Sequence, residues 1–191
     1  MRRIERENTG MVRPGQDLVA AGYAGFAGTV KIVREREGEL HQWFSSQYIH
    51  RILEGDFILP VKEPGEFKNL GAAEWEPVME GGILKALWDL SGAYMTGIRF
   101  ELHKIPVRQE TIEVCERYDL NPYRLYSEGC FVLAADHGGD LVSALKENGL
   151  EAAVIGKVTG GIKRIIVHED GNGYLDRPSK DELYKVLSKI G

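Results

Sequence analysis

The sequence predicts an α+β protein in which helices pack on a layered, mixed β-sheet. Three observations lead there. Strand-like and helix-like runs alternate along the 191 residues, a layout that buries a sheet face under helices. The second half closes on strand-like segments joined at glycines, a tight connection that only antiparallel neighbours make, so the sheet is not purely parallel. The composition, 43% hydrophobic and 28% charged, is that of a globular chain able to bury a core.

Each element has its own local reason. From Asp17 the run DLVAAG reads as a buried strand, ended by the turn GYAGFAG, after which TVKIVRERE takes up helical spacing. HQWFSSQYIHRIL continues as a second helix, with Trp43, Tyr48 and Ile52 near one face. EGDFILPVKEPGEFKNLG, broken by prolines and glycines, reads as a long connection or lid-like loop. GAAEWEPV follows as a short strand. GGILKALWDLSGAY is the clearest helix: Ile83, Leu87, Leu90 and Tyr94 recur at i, i+4, i+7 and i+11, and Leu84 and Trp88 widen the stripe that faces inward. GIRFEL alternates as a strand does, and IPVRQETIEVCERYDL is expected to be a helix entered at Pro106, with Ile112, Val114 and Cys115 set among charges. CFVLAAD is a buried strand, HGGDLVSALKENG a helix closing on Gly149, and AAVIGKVTGGIKRIIVHEDGNGYL a pair of strands. The last helix, SKDELYKVLSKI, has Ser179 as N-cap and Glu182 three residues on, the pattern of a capping box. These assignments give an N-terminal arm over 1–16 and one domain over 17–191.

Charge and composition exclude several function classes. The net charge of −5 and the lack of a basic stripe argue against nucleic acid as a partner. No apolar run approaches the roughly 20 residues that cross a bilayer, and the arginines of MRRIERENTGMVRPGQ lead into no apolar signal core. The expectation is a cytoplasmic protein with no membrane partner. Cys115 and Cys130 lack His or Cys neighbours at metal-ligand spacing and read as buried thiols. No metal site is expected from the residues themselves, and His103, His137 and His168 have no spacing that suits a ligand set or a nucleophile's base.

Three glycine-bearing stretches remain as candidate sites. Gly22, Gly25 and Gly28 follow a strand and precede a helix, but their G-x-x-G-x-x-G spacing is not that of a dinucleotide site. Either they let the helix pack closely on the strand or they face a phosphate. Gly81 and Gly82 open the clearest helix directly after Glu80. A helix start offers unpaired N–H groups and a positive dipole end, and glycines let an anion approach the backbone. Glu80 either complements that dipole or, through Mg²⁺, shares the site with a phosphate. Ser127, Glu128 and Gly129 sit where a loop enters a buried strand, a place suited to ligand contacts and to ordinary turns alike.

Taken in order, VRPGQDLVAAGYAGFAGTV, MEGGILKALWDLSGA, IPVRQETIEVCERYDLNPYRLYSEGCFVLA and IGKVTGGIKRIIV resemble the C-terminal domain of the aminoimidazole ribonucleotide (AIR) synthase superfamily over about Pro14 to Val167. The hydrogenase-maturation branch is the nearest match. The resemblance implies an ATP-using superfamily that activates an oxygen by phosphorylation, with ATP and Mg²⁺ held mostly by an N-terminal domain and the cleft completed by this one. It carries the family's Glu-Gly-Gly onto Glu80, Gly81 and Gly82, with Glu80 in the catalytic role, and its Ser-x-Gly loop onto Ser127, Glu128 and Gly129 as phosphate- or substrate-binding residues.

Three departures qualify what is carried over. Pro77 and Met79 stand where family members often have Asp and Thr, and no cysteine follows Cys130, whereas the hydrogenase factor carries its substrate on a cysteine in a C-terminal tail. The ATP-binding domain is expected to be supplied by a separate N-terminal-type subunit. Two functions follow: the substrate- and phosphate-side half of an ATP-dependent synthase or kinase acting on a small metabolite or nucleotide, or a non-catalytic ligand- or partner-binding module of the same fold. Without the family's dimerising N-terminal domain, exposed apolar surface also makes a homo-oligomer plausible.

Overall fold

The computed structural model describes residues 11–55 and 65–187. Its centre is a seven-stranded mixed sheet in the order β2-β4-β1-β5-β3-β6-β7. The interior strand β1 (Asp17–Ala21) pairs antiparallel with β4 (Cys130–Ala135) on one side and β5 (Ala152–Thr159) on the other. Beyond β4 lies the edge strand β2 (Glu74–Val78); beyond β5 lies β3 (Gly97–Phe100), which pairs parallel with β6 (Arg164–His168), and β7 (Gly171–Tyr174) closes the far edge. Pro77, which has no N–H to give a ladder, sits on the edge strand where none is required.

Period-two alternation sorts the side chains to two faces. Leu18, Ala20, Val132 and Ala134 point to the face covered by α4 (Gly82–Ala93), joining Ile83, Leu87 and Leu90 in one core. Val19, Ala21, Leu133 and Ala135 point to the opposite face, where α6 (Gly138–Glu147) and the single turn α3 (Glu66–Asn69) cover them with Leu141, Leu145 and Phe67. A third cluster gathers α1 (Phe26–Leu40), α2 (Ser46–Leu53) and α5 (Gln109–Arg117) around Val30, Ile52, Val114 and Leu125. This is the layered α+β architecture that the alternation implies.

Several boundaries differ from the sequence reading, each for a physical reason. The stretch 152–174 holds three strands rather than two, because the glycine-bearing turn at 169–171 reverses the chain onto β6. Pro106 lies ahead of α5, whose first helical residue is Gln109, so the proline ends the preceding segment instead of entering the helix. Trp43 precedes α2, which Ser45 caps by accepting the Tyr48 N–H. The C-terminal segment is one 3₁₀ turn, Glu182–Lys185, and its cap is Asp181: Ser179 instead accepts from Arg124, and Glu182 accepts the Asn121 N–H. The end of the expected last helix, 188–191, and the 56–64 part of the expected lid-like loop lie outside the described residues, as do 1–10. Of the arm, Val12 and Gln16 are already buried, and Gly15 N–H donates to Val158 O.

Both cysteines are buried free thiols, and burial pushes each up to about 12. Among the described residues, no helix is long and apolar enough to cross a membrane.

Candidate functional site

The sheet brings the ends of three segments to one place: the β2–α4 turn, the loop running into β4, and the chain after β7. At the first, Gly81 and Gly82 take φ of +88° and +66°, a left-handed pair that side-chain-bearing residues rarely adopt. The chain thereby doubles back after β2 and enters α4, with Gly82 N–H closing the turn on Met79 O. Gly82 is covered by the 3₁₀ turn Pro122–Arg124: a Cβ there would meet Tyr123 O at 2.5 Å. Both glycines are buried, and Glu80 is exposed beside them.

The Gly81 amide faces a carboxylate of the chain itself. Asp181, only 2% exposed, accepts Gly81 N–H on Oδ2 (2.6 Å) and the Tyr126 and Leu183 N–H groups on Oδ1 (3.2 and 2.8 Å). One side chain so links the α4 entrance, the loop before β4 and its own turn. Burial pushes the Asp181 carboxyl above its usual range, and the nearby Glu80 charge adds to the rise, while the three N–H bonds pull the other way.

The loop before β4 is bound up in the same manner. Ser127 is fully buried; its Oγ accepts Gly25 N–H (2.7 Å) and donates to Leu125 O (2.6 Å). The Thr29 hydroxyl donates to Gly25 O and accepts from the Thr111 hydroxyl, extending the buried polar chain into α1 and α5. Glu128 is exposed and accepts from the Tyr126 hydroxyl, and Gly129 (φ +84°) lies so close to the end of β1 that a Cβ on Gly22 would meet its O at 2.4 Å. Gly25 and Gly28 also meet the 122–126 segment closely, a Cβ there standing 2.8 Å from Pro122 O and 2.5 Å from Leu125 Cγ, so the packing reading of the three spaced glycines is the one the structure shows.

The structure thus brings the 81–82 turn to Tyr126 through Asp181, while the Ser127 hydroxyl turns to Gly25. Two cations missed by the sequence reading also stand there. Lys85 and Arg124 line a hollow of about 10 Å³ with Gly81, Asp176 and Ser179, room for about one water. Lys85 pairs with Asp89 at 2.7 Å, and Arg124 Nη1 donates to Ser179 Oγ at 3.0 Å. Lys85 was legible as the residue one turn above Gly81 on a helix; Asp181 could have been found as an alternative cap to Ser179; nothing local marks Arg124.

A larger groove of about 860 Å³ lies between α2 and the start of α5, lined by Tyr48, Arg51, Arg108 and Glu110 among others. Within it Arg51 pairs with Glu110 at 3.5 Å, and the Arg108 guanidinium stacks on Phe26 and Tyr23. Among the described residues, no group of three or more His, Cys, Asp or Glu is arranged to hold a metal. For a Mg²⁺ site at the α4 entrance, Asp181 is already occupied by N–H donors, which leaves the exposed Glu80 and Asp176 carboxylates. Mg²⁺ is commonly held by one or two carboxylates together with waters and substrate phosphates, so these side chains would hold it only jointly with a ligand.

Comparison with known proteins agrees with this geometry. Residues 78–168 match the family model described as AIR synthase related protein, C-terminal domain. A search of curated proteins returned no match. Among solved structures, the hydrogenase maturation protein HypE of E. coli superposes with a TM-score of 0.70 at 19% identity, over 94% of this chain and 55% of HypE. HypE in complex with ATP gives 0.66 at 15% identity, over 92% of this chain and 54% of that one. Thiamine-monophosphate kinase from Stenotrophomonas maltophilia K279a gives 0.59 at 13% identity, over 82% and 51%. The chain therefore spans little more than half the length of these proteins. The matched segment runs from the end of β2 through β6: this part of the chain is similar to the AIR synthase-related C-terminal domain, and the fold is shared with HypE over 94% of the chain.

Proposed function

We propose that the chain works as a ligand- or partner-binding module of this fold, with no catalysis of its own. The seating of Asp181 on the Gly81 and Tyr126 amides carries this reading, since a ligand's oxyanion would need those same donors. The Ser127 hydroxyl, spent on Gly25 and Leu125, supports it, as do Pro77 and Met79 in place of polar side chains. The test is isothermal calorimetry and phosphate release with Mg·ATP on the chain alone. Neither binding nor turnover is expected. ATP hydrolysis by the chain alone that Glu80→Gln removes would overturn the module.

A second reading has its own support in Lys85 and Arg124, two cations beside the Gly81 turn. In it the chain is the substrate- and phosphate-side half of an ATP-dependent synthase or kinase, completed by a separate ATP-binding subunit that holds ATP and Mg²⁺. Glu80 would place a metal or polar substrate, and the Gly81, Gly82 and Ser127–Gly129 elements would surround the phosphate. HypE, whose fold this chain shares over 55% of HypE's length, is known in complex with ATP. ATP turnover that begins only when a partner subunit is added would favour this reading.

A further inference from the structure

We propose that the segment from Asp176 to Leu183 is an autoinhibitory strap, with the Asp181 carboxylate holding a seat that a small phosphoryl-bearing ligand takes when the strap lifts. This rests on the binding-module reading and names how that module is kept closed.

Three observations converge. First, the amides of Gly81 and Tyr126, far apart in sequence, point at one position, and what fills it is a carboxylate oxygen pair. Carboxylate and phosphoryl oxygens accept the same charge-assisted bonds from backbone N–H groups. Second, the cations that would favour a phosphoryl group are already alongside: Lys85 and Arg124 line the small hollow under the strap, and Arg124 is held there by Ser179 of the strap itself. Third, the strap is fastened at its ends and loose between them. Leu175 is buried in the α4-side core and Leu183 in the helical cluster, whereas Asp176, Arg177, Ser179 and Lys180 are exposed. Apart from the Asp181 bonds, this stretch is tied to the 121–124 turn by the exposed Arg124–Ser179 contact in its middle and, at its fastened C-terminal end, by Glu182 accepting the Asn121 N–H.

The seat is held at a cost. Asp181 is buried with the Glu80 charge near it, and both effects disfavour its charged form. Glu80 would repel an incoming phosphate as well, so the net preference depends on Lys85 and Arg124. A seat filled from within lowers the apparent affinity for an external ligand by the fraction of time it is vacant.

The experiment titrates inorganic phosphate into the full chain, followed by calorimetry and by the backbone amide resonances of Gly81 and Tyr126. Asp181→Ala should bind phosphate about tenfold or more tightly than the unmodified chain, the scale of one charged competitor removed. Those two amides should shift, and adding Lys85→Ala should reverse the gain. Equal affinity in the two proteins would overturn the strap. Since Asp181 also caps the Glu182–Lys185 turn, Asp181→Asn provides a second variant that keeps size and one acceptor oxygen while removing the charge. It should also bind more tightly than the unmodified chain. In the unmodified chain at saturating phosphate, hydrogen exchange across 176–183 should quicken while Gly81 and Tyr126 stay protected; an unchanged strap there counts against the proposal. Failure of the module reading shows elsewhere, as ATP turnover by the chain alone.

Discussion

Replacing Gly82 by alanine separates two accounts of the double glycine, because ligand access and close packing respond oppositely. The structure makes the cost of one methyl calculable. Gly82 has φ +66°, a conformation that costs an alanine about 1–2 kcal/mol. The new Cβ would stand 2.5 Å from Tyr123 O and 2.8 Å from the Arg124 Cα and carbonyl carbon, all backbone atoms of a turn that packs on α4. Forcing that turn away is an overpacking event of about 1–3 kcal/mol. The sum is about 2–5 kcal/mol, and at about 2–4 °C per kcal/mol for a chain of this size the melting point should fall by on the order of 10 °C. Urea denaturation measures it, with the midpoint moving and the slope unchanged. Two companions sharpen the result. Gly81→Ala meets only the flexible Lys85 side chain, so it should cost mainly the backbone term of about 1–2 kcal/mol. Gly139→Ala, in α6 with nothing within 4 Å, should be neutral or stabilising. A Gly82→Ala protein within about 0.5 kcal/mol of its parent would refute the packing argument.

Two further outcomes follow from the same geometry. Ser127→Ala strands a buried Gly25 N–H and removes the donor to Leu125 O, so it should cost about 1–3 kcal/mol in thermal or urea unfolding; an unchanged midpoint would mean that water replaces the hydroxyl. Asp17 is held below its usual range by the hydrogen bond from Lys157, with the Gly138 N–H at the start of α6 also contributing. Because its folded value is depressed, its contribution is full above the ordinary carboxylate range and is lost as pH falls through the folded value. Asp17→Asn should therefore flatten part of the loss of stability below about pH 4, and acid unfolding curves that superimpose would rule this contribution out.

Much of the fold was legible because its signals are local. The helix over 82–93 declares itself by apolar residues every three to four positions, and β1 and β4 by buried runs of strand length. Boundaries set by contacts with distant residues were not legible. Ser179 and Asp181 are both good caps by type, and the choice between them fell to Arg124, which takes the serine hydroxyl, and to the Gly81 and Tyr126 amides, which take the carboxylate. Strand β7 was folded into its neighbour in the sequence reading because GNGY has almost no apolar pattern; only its pairing with β6 makes it a strand.

At the candidate site the same division holds. The residue order Glu80-Gly81-Gly82 determined a tight left-handed entrance to a helix, since no other residue type adopts that backbone cheaply, and the spaced glycines at 22, 25 and 28 determined a close approach. What fills the Gly81 amide was decided by tertiary structure alone. Its partner lies 100 residues further along the chain, and a backbone donor buried away from water must be satisfied by whatever acceptor the fold delivers to it.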